Sequence, residues 1–279
     1  MKLAVLSDIH ANLPAFEAVL EDVRAWRPDT VVFAGDGVNR GPRPAECWTL
    51  LAALAEGEGW RRLRGNHEEY VASREGAALT PPDSPAFLIA QSSLWTYQRL
   101  GLPAATLADL PFSLSLLAPD GGEVRVTHAS MLGTRQGIYP DSSDEAIRER
   151  VGRPAPGLFA AGHTHRPLSR LVDDTVVVNP GSVGLPFDGD PRASYARCTW
   201  RSGGWQVDIR RLDYDRATAE AAFRDTGFLD EAGPLTWLML RELQTARSLI
   251  NHWLTAYEAD CLAGRIGVMA AVERFLAER

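Results

Sequence analysis

The chain has 279 residues and six histidines, and two of those histidines stand one residue apart in the stretch AAGHTHRP at residues 160–167. A short apolar run stops at Gly162, and the imidazoles of His163 and His165 follow. Imidazole is poor core material but a good donor of a nitrogen lone pair, so this placement points to a metal ion or a phosphate. The same arrangement recurs along the chain. AVLS ends at Asp8 with His10 two residues on, VVFAG ends at Asp36, and RLRG ends at Asn66 and His67. VRVT ends at His128, and VVVN runs into PGS at 180–182. Of the histidines, only His252 lies away from such an end. Ligands of open α/β sheets gather at the carboxyl ends of strands, so these residues are expected to meet in one crevice. A lone histidine there would read as structural; the whole set does not. Asp8, His10, Asp36, Asn66, His128, His163 and His165 offer nitrogen and oxygen but no thiolate, which suits Mn2+ first, with Fe or Zn2+ next, over all-oxygen Mg2+ or Ca2+ sites. They are too many for one ion, so two divalent ions sharing a bridging ligand is the economical arrangement.

The elements that must position these residues are legible from periodicity. LAVLS (3–7) and TVVFA (30–34) read as buried strands, and WRRLR (60–64) as a weaker one. Between them a helix is expected over 13–26, with Leu13, Phe16, Val19, Leu20 and Val23 on one face, and another from Pro44. TPPDSP (80–85) reads as a loop and 86–100 as a helix. FSLSLL and EVRVT flank APDGG, a hairpin signal, and LFAA, TVVVN, SYARCTW and WQVDIRRL continue as strands. In the last third Met239, Leu243, Ala246, Ile250, Trp253 and Tyr257 are spaced as one helical stripe, expected to pack on the main body, with a dimer contact as the sharper alternative.

Bulk properties narrow the function. A formal net charge of −7 gives no broad basic face for a polyanion, which leaves a small phosphorylated substrate and no extended nucleic-acid surface. Cys47, Cys198 and Cys261 fit neither a zinc knuckle nor a disulfide framework and are expected to be reduced, mostly buried thiols. The apolar start MKLAVLS is too short for a signal peptide or a membrane span, so a cytoplasmic protein with no membrane partner is expected.

SDIH, GD, GNHE, TH, GHTH and NPGS occur over residues 7–182 in the order seen in calcineurin-like metallophosphoesterases, and the chain resembles that family. GSVGLPFDGDPRASY (181–195) is similar to its small bacterial phosphoesterases, including a phosphodiesterase-like subgroup. The resemblance implies that Asp8, His10 and His165 hold one metal, that Asn66, His128 and His163 hold the other, and that Asp36 bridges. It implies in-line attack on phosphorus by a hydroxide shared between two ions roughly 3.5–4 Å apart. In GHTH, alternate residues of an extended segment would send one histidine to each metal. By the family pattern His67 is not a ligand; it would protonate or steady the leaving oxygen, or orient Asp8. Gly65 is expected to supply conformational freedom to the GNHE turn, and Glu68 and Glu69 to open a helix.

Relatives often carry an aromatic after the bridging aspartate, where this chain has Asn39 and Arg40. Arg40 reads either as a phosphate-binding group or as a solvated loop charge. Arg135, Arg166 and Arg192 are further candidates near the motif ends. Monoesters and diesters share every motif, and the loops at 37–44, 76–86 and 130–142 would decide between them. The competing functions are a catalytically silent binding or scaffold protein on the same fold, and a nuclease of the same superfamily. The expected fold is α/β, a four-layer αββα sandwich of two mixed β-sheets flanked by helices. Residues 1–212 would form the catalytic domain and 213–279 a helical extension packed on it, able to border the site or to mediate a homo-oligomer.

Overall fold

In strand β1 (Lys2–Leu6), Leu3 and Val5 join a core with Val32, Ala34, Val126 and Ala160, while Ala4 and Leu6 join another with Phe16, Val19 and Leu51. Successive strand side chains point to opposite faces, so this split already marks β1 as a strand buried on both sides. The computed structural model, which describes residues 1–76 and 84–278, places β1 at the centre of a five-stranded sheet. β2 (Thr30–Phe33) and β3 (Arg61–Arg62) run parallel to it on one side. On the other side β9 (Ala193–Arg201) and β10 (Gly204–Leu212) run antiparallel to each other, with β9 also antiparallel to β1. The second sheet has the order β4-β5-β6-β8-β7, from β4 (Ser113–Leu117), β5 (Glu123–Thr127), β6 (Leu158–Ala161), β7 (Leu168–Val172) and β8 (Thr175–Asn179). Its central trio, β5, β6 and β8, is parallel.

The layers follow from which face each strand buries. Leu158 and Ala160 of β6 meet β1 and β2 between the sheets, whereas Phe159 and Ala161 face outward onto Ile147 and Val151 of α6 (Asp144–Val151). Helices α1 (Leu13–Trp26) and α2 (Pro44–Glu58) cover the outer face of the first sheet. The result is the expected four-layer sandwich of two mixed sheets.

Three elements escaped the sequence reading, of which α5 (Ala105–Ala108) is a single turn. α6 is short, and β7 is an edge strand that buries one side only. Helix α4 (Pro85–Leu100) starts with Ser84, whose hydroxyl accepts the Phe87 N–H, so Ser84 and Pro85 belong to the helix start rather than to the loop expected at 80–85. Residues 80–83 of that loop, and most of the 76–86 loop, lie outside the described residues.

After β10 the chain is helical: α7 (Arg216–Asp225), α8 (Phe228–Glu231), α9 (Thr236–Thr245), α10 (Ile250–Trp253), a π-helical turn at Leu254–Glu258, α11 (Ala259–Leu262) and α12 (Val268–Ala277). These helices bury Phe228, Met239, Leu243, Trp253 and Phe275 in a shared core with Trp95 of α4 and with Leu185 and Phe187 of the loop after β8. The single stripe expected from Met239 to Tyr257 is broken. α9 ends at Ala246, whose φ is 51°, and the helix restarts at Ile250. The buried carboxylate of Glu242 accepts the backbone N–H of Leu249 and Ile250 at 2.7 and 2.9 Å, so it caps the new helix and holds the break open. Met239, Leu243, Ile250 and Trp253 nevertheless reach one core. The three cysteines are free and buried. Among the described residues, no helix is long and apolar enough to cross a membrane.

Candidate metal centre

The parallel strands of both sheets deliver their carboxyl ends to one place. Asp8 follows β1, Asp36 follows β2, Asn66 follows β3, His128 follows β5, and His163 and His165 follow β6. Strand backbone alone would carry the chain past this point. It is turned back by left-handed conformations at Asp8 (φ 57°), His10 (47°), Asp36 (61°), His163 (68°) and His165 (56°). Non-glycine residues seldom adopt positive φ, and when they cluster the surrounding structure must hold them there for a purpose. The GHTH segment is therefore not extended, as the sequence reading had it. Its two histidines still part company.

His165 lies with Asp8 and His10, and His163 lies with Asp36 and His128. In the first group His165 Nε2 is 3.3 Å from Asp8 Oδ1 and 3.1 Å from His10 Nε2. In the second, His128 Nε2 is 3.2 Å from Asp36 Oδ2, and the Asn66 side-chain oxygen is 2.9 Å from both His128 Nε2 and His163 Nδ1. The far nitrogens explain the orientation. His10 Nδ1 faces Asn39 O, His128 Nδ1 faces Ala34 O, and His165 Nδ1 faces Leu185 O. A carbonyl only accepts, so each Nδ1 carries a proton and each Nε2 is left for the centre.

This donor set fits divalent cations on its own geometry. The Nε2 lone pairs of His10 and His165 oppose each other at 3.1 Å, and buried Asp8 Oδ1 has no hydrogen-bond donor. A positive charge between them satisfies all three atoms. Burial, reinforced by neighbouring His165, holds His10 well below the usual histidine range. Burial likewise holds His163 at about 4. Burial opposes a charge on His128 too, but the Asp36 carboxylate outweighs it and pushes this imidazole up to about 10. The second group thus attracts a cation at His128 Nε2, and a metal ion would take the place of that proton.

Glu68 does more than open a helix. It is fully buried, and its two oxygens accept the backbone N–H groups of Asp36, Gly37 and Gly65, each at 2.8 Å. It therefore fixes the turn that presents Asp36 against α3 (Asn66–Ala72), the short helix that starts with Asn66 and His67. Burial and the nearby Asp36 charge raise its carboxyl to about 7, although the backbone donors pull the other way. The sequence signal was present in GNHE, where Glu at the third helical position reaches back to the cap. Gly65 itself has φ −99°, so its role is not conformational freedom; a Cβ there would collide with Asp36. The NPGS stretch supplies support: Ser182 Oγ donates to Asp8 O at 2.7 Å, and the Asn179 amide donates to Gly162 O at 2.9 Å.

His67 sits beside Asp36, not Asp8: its backbone N–H donates to Asp36 Oδ1 at 2.9 Å. Its Nδ1 accepts from the Asn39 amide at 2.9 Å, and Asn39 is further held by Ser93 of α4. Arg40 is no solvated loop charge. Its side chain is only 10% exposed and pairs at 2.6 Å with Glu242. Arg135 and Arg166 line the cavity above the centre, while Arg192 pairs with Asp190 at the surface, away from that cavity.

The sequence profile of the calcineurin-like phosphoesterase superfamily domain matches residues 1–203. Phosphodiesterase YfcE of Escherichia coli strain K12 is 28% identical over 195 residues, 70% of this chain and 85% of that protein. The uncharacterized protein MJ0912 of Methanocaldococcus jannaschii is 29% identical over 233 residues, 76% of this chain and 88% of that one. A solved metallophosphoesterase from Sphaerobacter thermophilus is similar with a TM-score of 0.67 at 29% identity, covering 88% of this chain and 100% of its own.

Proposed function

Because the chain belongs to the calcineurin-like phosphoesterase superfamily, we propose that it hydrolyses small phosphate esters with the help of two divalent metal ions, Mn2+ being the first candidate. The observation that carries this reading is the pair of carboxylate–imidazole groups, Asp8–His10–His165 and Asp36–His128–His163, which reach one cavity through Asp36, His163 and His165. Asp8, His10 and His165 would hold one ion and Asn66, His128 and His163 the other, with Asp36 between them. Bound there, such ions supply Lewis-acid charge for the phosphoryl oxygens and lower the pKa of a water nucleophile towards ~7.

The rest falls to the chain. The carbonyls of Asn39, Ala34 and Leu185 keep three imidazoles turned inward, so the site is preorganised before a substrate arrives. Glu68 keeps Asp36 from swinging away. Arg40 lines the cavity with N–H groups beyond the one that Glu242 takes, and these would bind a phosphoryl oxygen. Burial, only partly offset by Asp36, sets the His67 pKa at about 3, so the imidazole is neutral. With the Asn39 amide donating to Nδ1, the His67 proton sits on Nε2 and is offered to the leaving oxygen as a hydrogen bond.

Hydrolysis of bis-p-nitrophenyl phosphate and of p-nitrophenyl phosphate, by metal-stripped protein reloaded with Mn2+, tests the proposal. Turnover abolished in Asp36→Asn supports it, and the preferred substrate separates a diesterase from a monoesterase. Silence on both substrates with metal bound would overturn it.

A further inference from the structure

The cavity over the metal centre has a volume of about 570 Å3, within the range of small-molecule sites. Its floor is the exposed part of the ligand set, Asp36, Asn66, His163 and His165. Its far wall comes from elsewhere: Met239, Ile250 and Leu254 of the C-terminal helices, with Ile89 of α4. Met239 and Ile250 are only 3% and 8% exposed, and Leu254 and Ile89 pack partly buried against the same core. The wall is thus the edge of a packed core, not a mobile flap.

One buried carboxylate keeps that wall in register with the floor. Glu242 takes the Arg40 guanidinium with one oxygen and the Leu249 and Ile250 N–H groups with the other. Arg40 also lies over the Phe187 ring at 5.6 Å, and Phe187 stacks on His165 at 4.3 Å. The break in the expected helical stripe is therefore what turns Ile250 and Leu254 to the cavity. On the same turn, Ser248 lines the cavity, and its buried Oγ has no hydrogen-bond partner.

We infer that the C-terminal helices complete the substrate site, and that the substrate is a phosphate ester whose alcohol carries a compact apolar group seated against Leu254, Ile250, Met239 and Ile89. This rests on the phosphoesterase reading for the position of the phosphoryl group. A hydroxyl turned to these four side chains would lose its hydration without a partner, whereas an apolar group is desolvated on contact; Ser92, Asn251 and His252, which line the same cavity, are left for the polar edge of the alcohol.

Phosphonates test the wall without turnover, because the carbon–phosphorus bond is not hydrolysed. Calorimetry would compare phenylphosphonate with methylphosphonate on the Mn2+-loaded full chain. The expected result is an affinity ratio of about tenfold in favour of the phenyl compound, about 1.4 kcal/mol. Leu254→Asn should cut the ratio to about twofold or less, and Ile89→Asn, on a different helix, should do the same. Glu242→Gln keeps an acceptor for the turn but loosens Arg40, so it should weaken both ligands alike. A wild type with no preference, or a ratio that survives both wall substitutions, overturns the inference. Preferential binding of the phenyl compound with no turnover of either nitrophenyl ester would sink the hydrolase reading and leave the wall standing.

Discussion

At the floor of the cavity and just beneath it, Asp8, His10, Asp36, His163 and His165 hold left-handed backbone angles, and the ligand atoms of each group lie within 4.8 Å of one another. Across the cavity, Met239 lies in α9 and Leu254 opens the π-helical turn with φ −54°, both in right-handed backbone, and both touch ordinary apolar neighbours. The floor is expensive to build. It uses residue types that no core requires, in conformations that each cost of order 1–3 kcal/mol. The wall stabilises the fold and shapes the cavity at once, because the same contacts serve both. Chemistry thus demands particular atoms at the floor, while the wall demands only volume and apolarity.

The largest effect that tests this contrast is Asp36→Asn. Turnover of mono- and diester should fall together by at least about a thousandfold, roughly 4 kcal/mol of transition-state stabilisation, with the far-ultraviolet dichroism unchanged. A change in the ratio between the two esters would mean that the floor also selects substrates. Metal removal comes next. An ion held only by the folded chain stabilises it by about 2.7 kcal/mol at a hundred times its dissociation constant. Chelation should lower the melting temperature accordingly. Hydrogen exchange should then rise at residues 8–10, 36–40 and 163–165 while residues 236–245 stay protected. Loss of protection in both would show that floor and wall form one cooperative unit through Arg40 and Glu242.

Glu68→Gln ranks third. Three backbone N–H groups share two carboxylate oxygens, so an amide leaves at least one donor facing a donor. A cost of about 1–3 kcal/mol is expected in denaturant unfolding, with weaker Mn2+ binding through Asp36; unchanged metal affinity would confine Glu68 to the helix cap. This residue also marks where the sequence stopped being readable. Asp8, His10, Asp36 and the GHTH histidines were found because each ends an apolar run and none suits a core. Glu68 was visible only as an acidic residue at a helix start, since its second job depends on where Asp36 comes to rest. Ile250 and Leu254 had no signature at all. Their periodicity is that of any buried helix, and the break at Ala246 that aims them at the site comes from Glu242, a charged residue outside the apolar stripe. The strand and helix order was legible because alternation and 3.6-residue spacing are local; the edge strand β7 was not, because half-burial leaves a weak pattern.

The smallest effect is a control lying outside both regions. Asp22 of α1 accepts from Tyr195 and Arg197 of β9 at 2.7 and 2.6 Å and from Arg210 of β10 at 3.4 Å, tying the helix to the far edge of the first sheet. Burial disfavours its charge, but the hydrogen bonds from Tyr195 and Arg210 and the charge of Arg197 outweigh that and lower its pKa below 3.8. A carboxyl that ionises more readily folded than unfolded stabilises the fold fully above its unfolded pKa, and that contribution fades as pH falls through the folded value. Asp22→Asn should therefore cost about 0.5–1 kcal/mol at pH 7, with the gap to wild type closing in thermal melts taken progressively below pH 4. Turnover and phosphonate preference should not move. If either did, strain at the sheet edge would be reaching β1 and Asp8, and the floor could not be treated as fixed by its own hydrogen bonds.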